Sequence, residues 1–334
     1  MGHPVFFCDG RVVSVSGNGT IAHHFAHRHP TVTDTNTARG IRLLCAGVFV
    51  FSLQDPVVKQ VSGAYPLTEV LVIRSLVAIP ILLLMVQFEA GWRAIFTKQF
   101  RSLTARAGIM FVAYTAYYMA FPAMNLAYAV ALYFTVPLFV SALAGPVLGE
   151  RIGLKAWAAL AVGFGGVLVI LQPSSGLFQW AALLSLLAAL MYATAMLMAR
   201  RIGTAQPAAV MAFYQNGVFL AGALVIAVCT HWLGIDDAVH PSVAFLVRPW
   251  VWPTLPDALL IASCGVIASA GMLLLTNAYR ISPANQVTPF EYTGILWAPL
   301  WGFLFFDEVP RWTTVAGAAL IAMAGLFALR EARK

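Results

Sequence analysis

The chain is poor in charge. Only 10% of its 334 residues are Asp, Glu, Lys or Arg, against roughly 25% in ordinary soluble domains. Such a chain cannot cover a water-exposed surface, which excludes a soluble globular fold. Whole stretches lack any formal charge, namely residues 107–149, 156–199, 202–235 and 258–279. Signature motifs of enzymes are also missing. HExxH and GxSxG do not occur, so membrane-embedded hydrolysis by those constellations is excluded. No GxxxxGK[ST] loop occurs either, which removes direct ATP drive. The four cysteines, Cys8, Cys45, Cys229 and Cys264, show no CxxC or zinc spacing. They read as single small hydrophobes. No cofactor and no metal is expected, and the chain is not read as an enzyme.

What is present is apolar. Hydrophobic residues make up 60% of the chain, and the mean hydropathy is +0.82. A helix needs about 20 largely apolar residues to cross a bilayer. The two longest charge-free runs each hold two crossings and a short turn. A transmembrane barrel would instead show alternating segments of about ten residues. The fold class is therefore an all-α integral membrane protein. Its formal net charge of +7 reads as loop charge facing the cytoplasm, not as a nucleic-acid footprint. The expected partners are the lipid bilayer and a small organic solute, with no nucleic acid.

Punctuation by Pro, Gly and short polar turns divides the chain into ten spans. They lie near 41–59, 67–88, 106–123, 125–147, 153–172, 178–199, 207–230, 257–278, 284–306 and 312–330. Basic residues orient them. With the first helix running outward, fourteen Lys and Arg fall beside cytoplasmic helix ends, from Arg39 and Arg42 to Arg333 and Lys334. Three fall outside, namely Lys59, Arg248 and Arg311. Both termini are then cytoplasmic, and an even helix count is needed to keep them so.

Residues 1–38 form a polar tail with His3, His23, His24, His27 and His29. It reads as a disordered tail, with metal binding or an upstream start of the reading frame as the alternatives. No cleavable signal pattern precedes the first span, because the basic-then-apolar transition begins at Arg39 and runs a full span. Residues 231–256 form an outer loop between helices seven and eight, with Trp232, Trp250 and Trp252 as interfacial anchors.

The chain repeats itself. AYAVALYFTVPLFVSALAGPVLGERI is followed by KAWAALAVGFGGVLVIL. ANQVTPFEYTGILWAPLWGFLFFDEVP is followed by VAGAALIAMAGLFAL. Glu150 and Glu308 each close an apolar helix before a short turn and a Gly/Ala-rich helix. The repeats cover 39–172 and 178–330, each with five helices. Five is odd, so the halves enter the membrane in opposite orientations, as a 5+5 inverted repeat. Gly163, Gly165 and Gly166, with Gly317, Ala319 and Gly325, permit close helix contacts. Those contacts serve either a homodimer or packing within a monomer.

Taken in order, several motifs resemble the drug/metabolite transporter superfamily, in its ten-helix EamA-type branch. They are Asp55-Pro56-Val57-Val58-Lys59, Glu69 to Arg74 (EVLVIR), Tyr117-Tyr118, Leu148-Gly149-Glu150, Pro289-Phe290-Glu291-Tyr292 and Asp307-Glu308-Val309-Pro310. Asp307 stands where that family commonly has glycine. The resemblance covers residues 40–330. It implies a multi-pass inner-membrane transporter with alternating access, often an exporter of amino acids or other metabolites. The importers it embraces carry compounds such as riboflavin or S-adenosylmethionine. A channel or a structural membrane protein is the rival of another class.

In-span charges are costly and mark solute paths or internal pairs. Glu291 is the sole formal charge between Arg280 and Asp307. It contacts cargo, carries a proton, pairs with Arg74 or sits in a shallow solvated position. Arg74 binds a cargo carboxylate or pairs with Asp55 or Glu69. Asp55 and Lys59, four apart on one helix face, pair with each other and act as gate or anchor. Tyr118, Tyr133, Tyr214 and Trp297 are expected to wall a cavity suited to a planar solute, with Glu291 and Tyr292 beside them.

Overall fold

Pro56 shapes the first span. It has no N–H, so the Ser52 carbonyl four residues earlier loses its helical donor. The computed structural model breaks the helix there, into α1 (Asp34–Ser52) and α2 (Gln54–Val61). The Ser52 hydroxyl donates back to the Phe49 carbonyl at 2.7 Å, and the Trp301 indole donates to that hydroxyl at 2.9 Å. The break leaves Gln54 and Asp55 in the first turn of α2. The structure describes residues 5–8, 11–14, 34–136, 138–140, 142–143, 154–172, 179–202, 206–281 and 288–331.

The remaining helices follow in order: α3 (Leu67–Glu89), α4 (Phe100–Ala120), α5 (Leu126–Tyr133), α6 (Leu154–Leu171), α7 (Ala181–Ile202) and α8 (Ala208–Trp232). Then come the short α9 (Pro241–Val247), α10 (Leu255–Ile281), α11 (Gly294–Phe306) and α12 (Trp312–Glu331). By length and apolarity, five described segments can cross a membrane: Ala38–Val61, Leu67–Glu89, Ala181–Ala199, Ala208–Trp232 and Leu255–Leu275. Leu126–Val140, Trp157–Leu171 and Trp312–Phe327 are shorter apolar helices. Large apolar side chains such as Phe88, Leu168, Phe303 and Phe305 point outward, as a lipid-facing surface requires.

Helix pairs that pack together include α1 with α10, α4 with α7, α3 with α8, α5 with α11, and α6 with α12. Renumbered as the ten expected spans, these are 1 with 8, 3 with 6, 2 with 7, 4 with 9 and 5 with 10. Exchanging each span with the one five places on returns the same set of pairs. The pair α6–α12 is the tightest. A Cβ on Gly166 would lie 2.8 Å from the Gly317 carbonyl oxygen, so both positions need glycine for the backbones to touch. A Cβ on Gly165 would meet open space.

Several boundaries differ from the sequence reading, among them the start of α1 at Asp34, within the expected tail, and not near 41. α4 starts at Phe100 and not near 106, which carries Arg106 inside the helix. Residues Thr288–Thr293 form a 3₁₀ segment ahead of α11, so Glu291 stands in that tighter coil and not seven residues inside an α-helix. Six residues is long for 3₁₀ geometry, which is common at functional hinges. In the polar tail, Val5–Cys8 pairs antiparallel with Arg11–Ser14. β-branched and aromatic residues flank an Asp9-Gly10 dipeptide there, a favoured hairpin sequence. The five tail histidines, Leu148-Gly149-Glu150, Pro137, Pro173 to Gly176 and the Arg333-Lys334 end lie outside the described residues.

Candidate functional site

A cavity of about 920 Å³ lies among α1, α2, α3, α4, α5, α7, α8, α10 and the 3₁₀ segment. Its size falls within the range usual for small-molecule sites. The α4 wall follows directly from helical spacing. Arg106, Met110, Ala113 and Tyr117 recur at intervals of four, three and four, and all line the cavity. Tyr114 and Tyr118 widen that stripe. From α5 and α7 come Tyr133 and Tyr192, and from the 3₁₀ segment Glu291 and Tyr292.

The rings form a connected wall. Tyr117 and Tyr133 have centroids 4.7 Å apart, Tyr133 and Tyr192 5.7 Å, and Tyr117 and Tyr118 5.5 Å. Tyr292 faces Phe134 at 5.9 Å. Its buried hydroxyl has no hydrogen-bond partner among the described residues. Gly325 of α12 makes room for that hydroxyl, since a Cβ there would overlap it.

Charged groups interrupt the wall. Asp55 accepts a hydrogen bond from the Tyr117 hydroxyl at 3.1 Å. Arg74 is 3% exposed. Its guanidinium carbon lies 5.4 Å from the Tyr114 ring centre and 5.8 Å from that of Phe219, within cation–π range. Among the described residues, Nε and Nη1 of Arg74 and Nε of Arg106 find no acceptor. Among the described residues, no ion pair is seen between Arg74 and Asp55 or Glu69.

The Asp55–Lys59 pair is also replaced. The break ahead of α2 leaves Asp55 on the cavity lining, while Lys59, one turn further along α2, pairs with Glu308 of the α11–α12 turn. Lys59 also donates to the Met124 carbonyl at 2.9 Å. The second Glu308 carboxylate oxygen accepts from the Leu126 N–H, at the start of α5, at 2.9 Å. A carboxylate at a helix N-terminus satisfies an orphan donor and meets the positive end of the dipole. One turn of α2 thus separates a cavity carboxylate from a fully partnered cation.

The end of the bundle that holds Lys59 is closed by further polar contacts. Glu69, 3% exposed, accepts from the Val251 N–H at 3.3 Å. The Trp250 indole donates to Thr68 at 2.9 Å, and Arg248 donates to the Gly63 carbonyl at 2.6 Å. Trp250 is thus tied to α3 while staying partly exposed, and Trp232 and Trp252 are more exposed still. Tyr65 donates to Asp257 at 2.6 Å, and that bond raises its hydroxyl pKa above the ordinary phenol value. At the opposite end the cavity lining reaches Glu89, Ala199, Gln206 and Pro207.

Four of the six expected binding residues meet at this cavity: Tyr118, Tyr133, Glu291 and Tyr292. Tyr214 does not line it, because its hydroxyl donates to the Ile95 carbonyl at 2.8 Å beneath the α3–α4 connection. Trp297 does not line it either. It sits edge-on to Phe49 at 4.8 Å and stacks with Trp301 at 6.3 Å, within the apolar core. Sequence reasoning missed Arg106, Tyr114 and Tyr192. Arg106 was counted as loop charge, although its spacing to Met110, Ala113 and Tyr117 carried the signal. Among the described residues, no group of three His, Cys, Asp or Glu is placed to hold a metal.

Comparison with known proteins gives this geometry a family. The sequence profile of the EamA-like transporter family matches twice, at residues 38–172 and 179–330. The pseudopaline exporter of Pseudomonas aeruginosa is 30% identical over 287 residues, covering 85% of this chain and 94% of the exporter. A riboflavin transporter of Vibrio cholerae is 26% identical, covering 85% and 90%. An S-adenosylmethionine uptake transporter of Rickettsia bellii is 27% identical, covering 60% and 62%. A solved crystal structure shares the fold with a TM-score of 0.59 at 17% identity, over 89% of this chain and 98% of that one. With both halves matched to one profile and a full-length relative at 30% identity, the chain belongs to the EamA-like transporter family.

Proposed function

We propose that this membrane protein is a secondary active transporter of small organic solutes, amino-acid-like or planar and aromatic. It works by alternating access in the cell inner membrane. Ten spans arranged as two oppositely oriented five-helix repeats, with both termini cytoplasmic, give the frame. The observation that carries the reading is the cavity of about 920 Å³, walled by tyrosines and interrupted by a few charges. Few polar groups on an aromatic wall is the usual make-up of a small-solute site.

The conformer is inward-facing in this reading. The cavity reaches the helix ends near Glu89 and Gln206, beside the basic segments assigned to the cytoplasm. The opposite end is held by Lys59 and Glu308. Efflux is the direction we assign. It is supported by the near full-length similarity to a protein named as an exporter, while similarity to uptake proteins supports import as the second reading. Protons are the assigned coupling ion, through the cavity carboxylates Asp55 and Glu291.

Flux in vesicles tests this. Purified protein is reconstituted in both orientations, loaded with mixed metabolites and read by mass spectrometry. A saturable flux, faster with an imposed proton gradient and lost in Glu291→Gln, is the expected result. Flux indifferent to the gradient and to Glu291→Gln would remove proton coupling. No saturable flux from any pool would remove the transporter reading.

A further inference from the structure

We propose that Asp55 and Arg74 are the two poles of a zwitterion site. The Asp55 carboxylate receives the ammonium group of an α-amino-acid-type cargo, and the Arg74 guanidinium receives its carboxylate. The proposal rests on the transporter reading above and names the chemical class of its cargo.

Two opposite charges line one cavity, yet they form no ion pair. Tyr114, Tyr117 and Tyr118 line the same cavity beside them. Burying a charge is costly unless a partner compensates it. Among the described residues, Asp55 has a hydrogen bond from the Tyr117 hydroxyl and no cationic partner. Arg74 has the faces of Tyr114 and Phe219. Ring faces attract the cation, but they accept no in-plane N–H bond. Nε and Nη1 therefore remain without acceptors among the described residues.

A bound zwitterion repairs both deficits at once. Its carboxylate accepts from the planar guanidinium, the geometry that arginine serves better than lysine. Its ammonium donates to Asp55. The tyrosine wall then holds the rest of the cargo. A solute with only an acid group would leave Asp55 unbalanced, and one with only an amine would leave the Arg74 donors unmet. An unmet buried polar group discriminates strongly between ligands. The guanidinium of Arg106, nearer the open end, offers the competing arrangement of two arginines on one polyanion.

The test uses full-length protein in lipid nanodiscs. The twenty proteinogenic amino acids are screened by thermal shift. The best of them is then compared with its decarboxylated amine and its deaminated acid by calorimetry. The expected result is that at least one amino acid binds and that losing either charged group weakens binding at least thirtyfold. Asp55→Asn should bring the zwitterion down to the affinity of the acid analogue. Arg74→Gln should bring it down to that of the amine. The analogue series on unaltered protein needs no variant, so misfolding of either variant leaves the test intact.

Failure of all twenty to bind overturns the proposal. So does an acid analogue that binds as tightly as the zwitterion, which would assign Arg74 and Arg106 to an anion site. Flux of metabolites other than zwitterions in the vesicle assay, with no amino acid among them, would overturn this inference and leave the transporter reading standing.

Discussion

Lys59 and Arg74 are both basic residues within apolar helices of the first half, and the fold treats them oppositely. Lys59 has a carboxylate, a backbone carbonyl and the ring of Phe306 about its ammonium group. Arg74 has two ring faces and no acceptor for Nε or Nη1 among the described residues. The difference separates two uses of charge in a membrane. A charge whose partners come from the protein holds helices together. A charge left to aromatic faces inside a cavity is held open for something that arrives. Position in the sequence does not distinguish the two, because both lie in family-like motifs within helices.

Removing one partner tests the first half of this contrast, and the largest effect is expected there. Glu308→Ala takes away both the Lys59 pair and the acceptor for the Leu126 N–H. It leaves a half-buried cation and an uncapped helix. Such losses cost about 3–5 kcal/mol, reduced here because the two side chains keep 12% and 18% exposure. We expect a drop of about 3 kcal/mol in unfolding free energy in detergent, and labelling of Met124→Cys from the outer side. In a double-mutant cycle with Lys59→Met, the second substitution should cost far less than it does alone.

Arg74→Met should do the reverse. The apolar side chain fills similar volume and removes a charge lacking acceptors, so stability is held or rises by up to about 1 kcal/mol. Transport of a zwitterionic cargo should fall about 100-fold, equivalent to about 2.7 kcal/mol of lost recognition. Parallel measurement of melting and flux checks this. A variant that unfolds and fails together would place Arg74 in the same class as Lys59, and the contrast would collapse.

Much of the helical architecture was legible in the chain because apolar length is a one-dimensional signal. The breaks at Pro66 and Pro122 fall where the residues say, whereas the break ahead of Pro56 interrupts a span read as continuous. The repeat was legible because Glu150 and Glu308 follow matching apolar runs in the sequence, and one family profile matches both halves. Partners across the bundle were not. Asp55 and Lys59 are four apart on one helix and could meet, but Lys59 is taken by Glu308 and Asp55 by the Tyr117 hydroxyl, partners that local sequence does not reveal. Tyr214 and Trp297 look like Tyr133 in sequence, and only helix rotation sends one to the Ile95 carbonyl and the other to Phe49. Arg106 was hidden by a six-residue error in where α4 begins.

The glycines of α6 sharpen the same lesson at smaller cost. Gly166→Ala drives a methyl group against the Gly317 carbonyl oxygen, 2.8 Å away. Overpacking of this kind costs about 1–3 kcal/mol. Gly165→Ala points into open space, and there alanine removes backbone freedom at no steric cost, a gain of about 0.5–1 kcal/mol. Opposite shifts in melting at adjacent positions would assign the small residues to packing between the two halves. A loss at Gly165 in a cross-linkable dimer would instead assign that face to a second copy.

The smallest effect concerns Asp307, which ends α11 at φ 52° and ψ 29°. That is the left-handed region where glycine is most at ease and aspartate is tolerated. The turn lets the Glu308 N–H return to the Gly302 carbonyl at 3.0 Å, and so aims the Glu308 carboxylate at Lys59. Asp307→Gly should keep that aim and stabilise by about 0.5 kcal/mol. Asp307→Ala should cost about 1 kcal/mol and loosen Lys59 with it. Thermal unfolding of both variants, with and without Glu308→Ala, reads the connection. If the Ala penalty persists unchanged when Glu308 is absent, the strain belongs to the turn alone. If it shrinks, the turn acts by holding Glu308 against Lys59, and the closed end of the cavity depends on one backbone angle at residue 307.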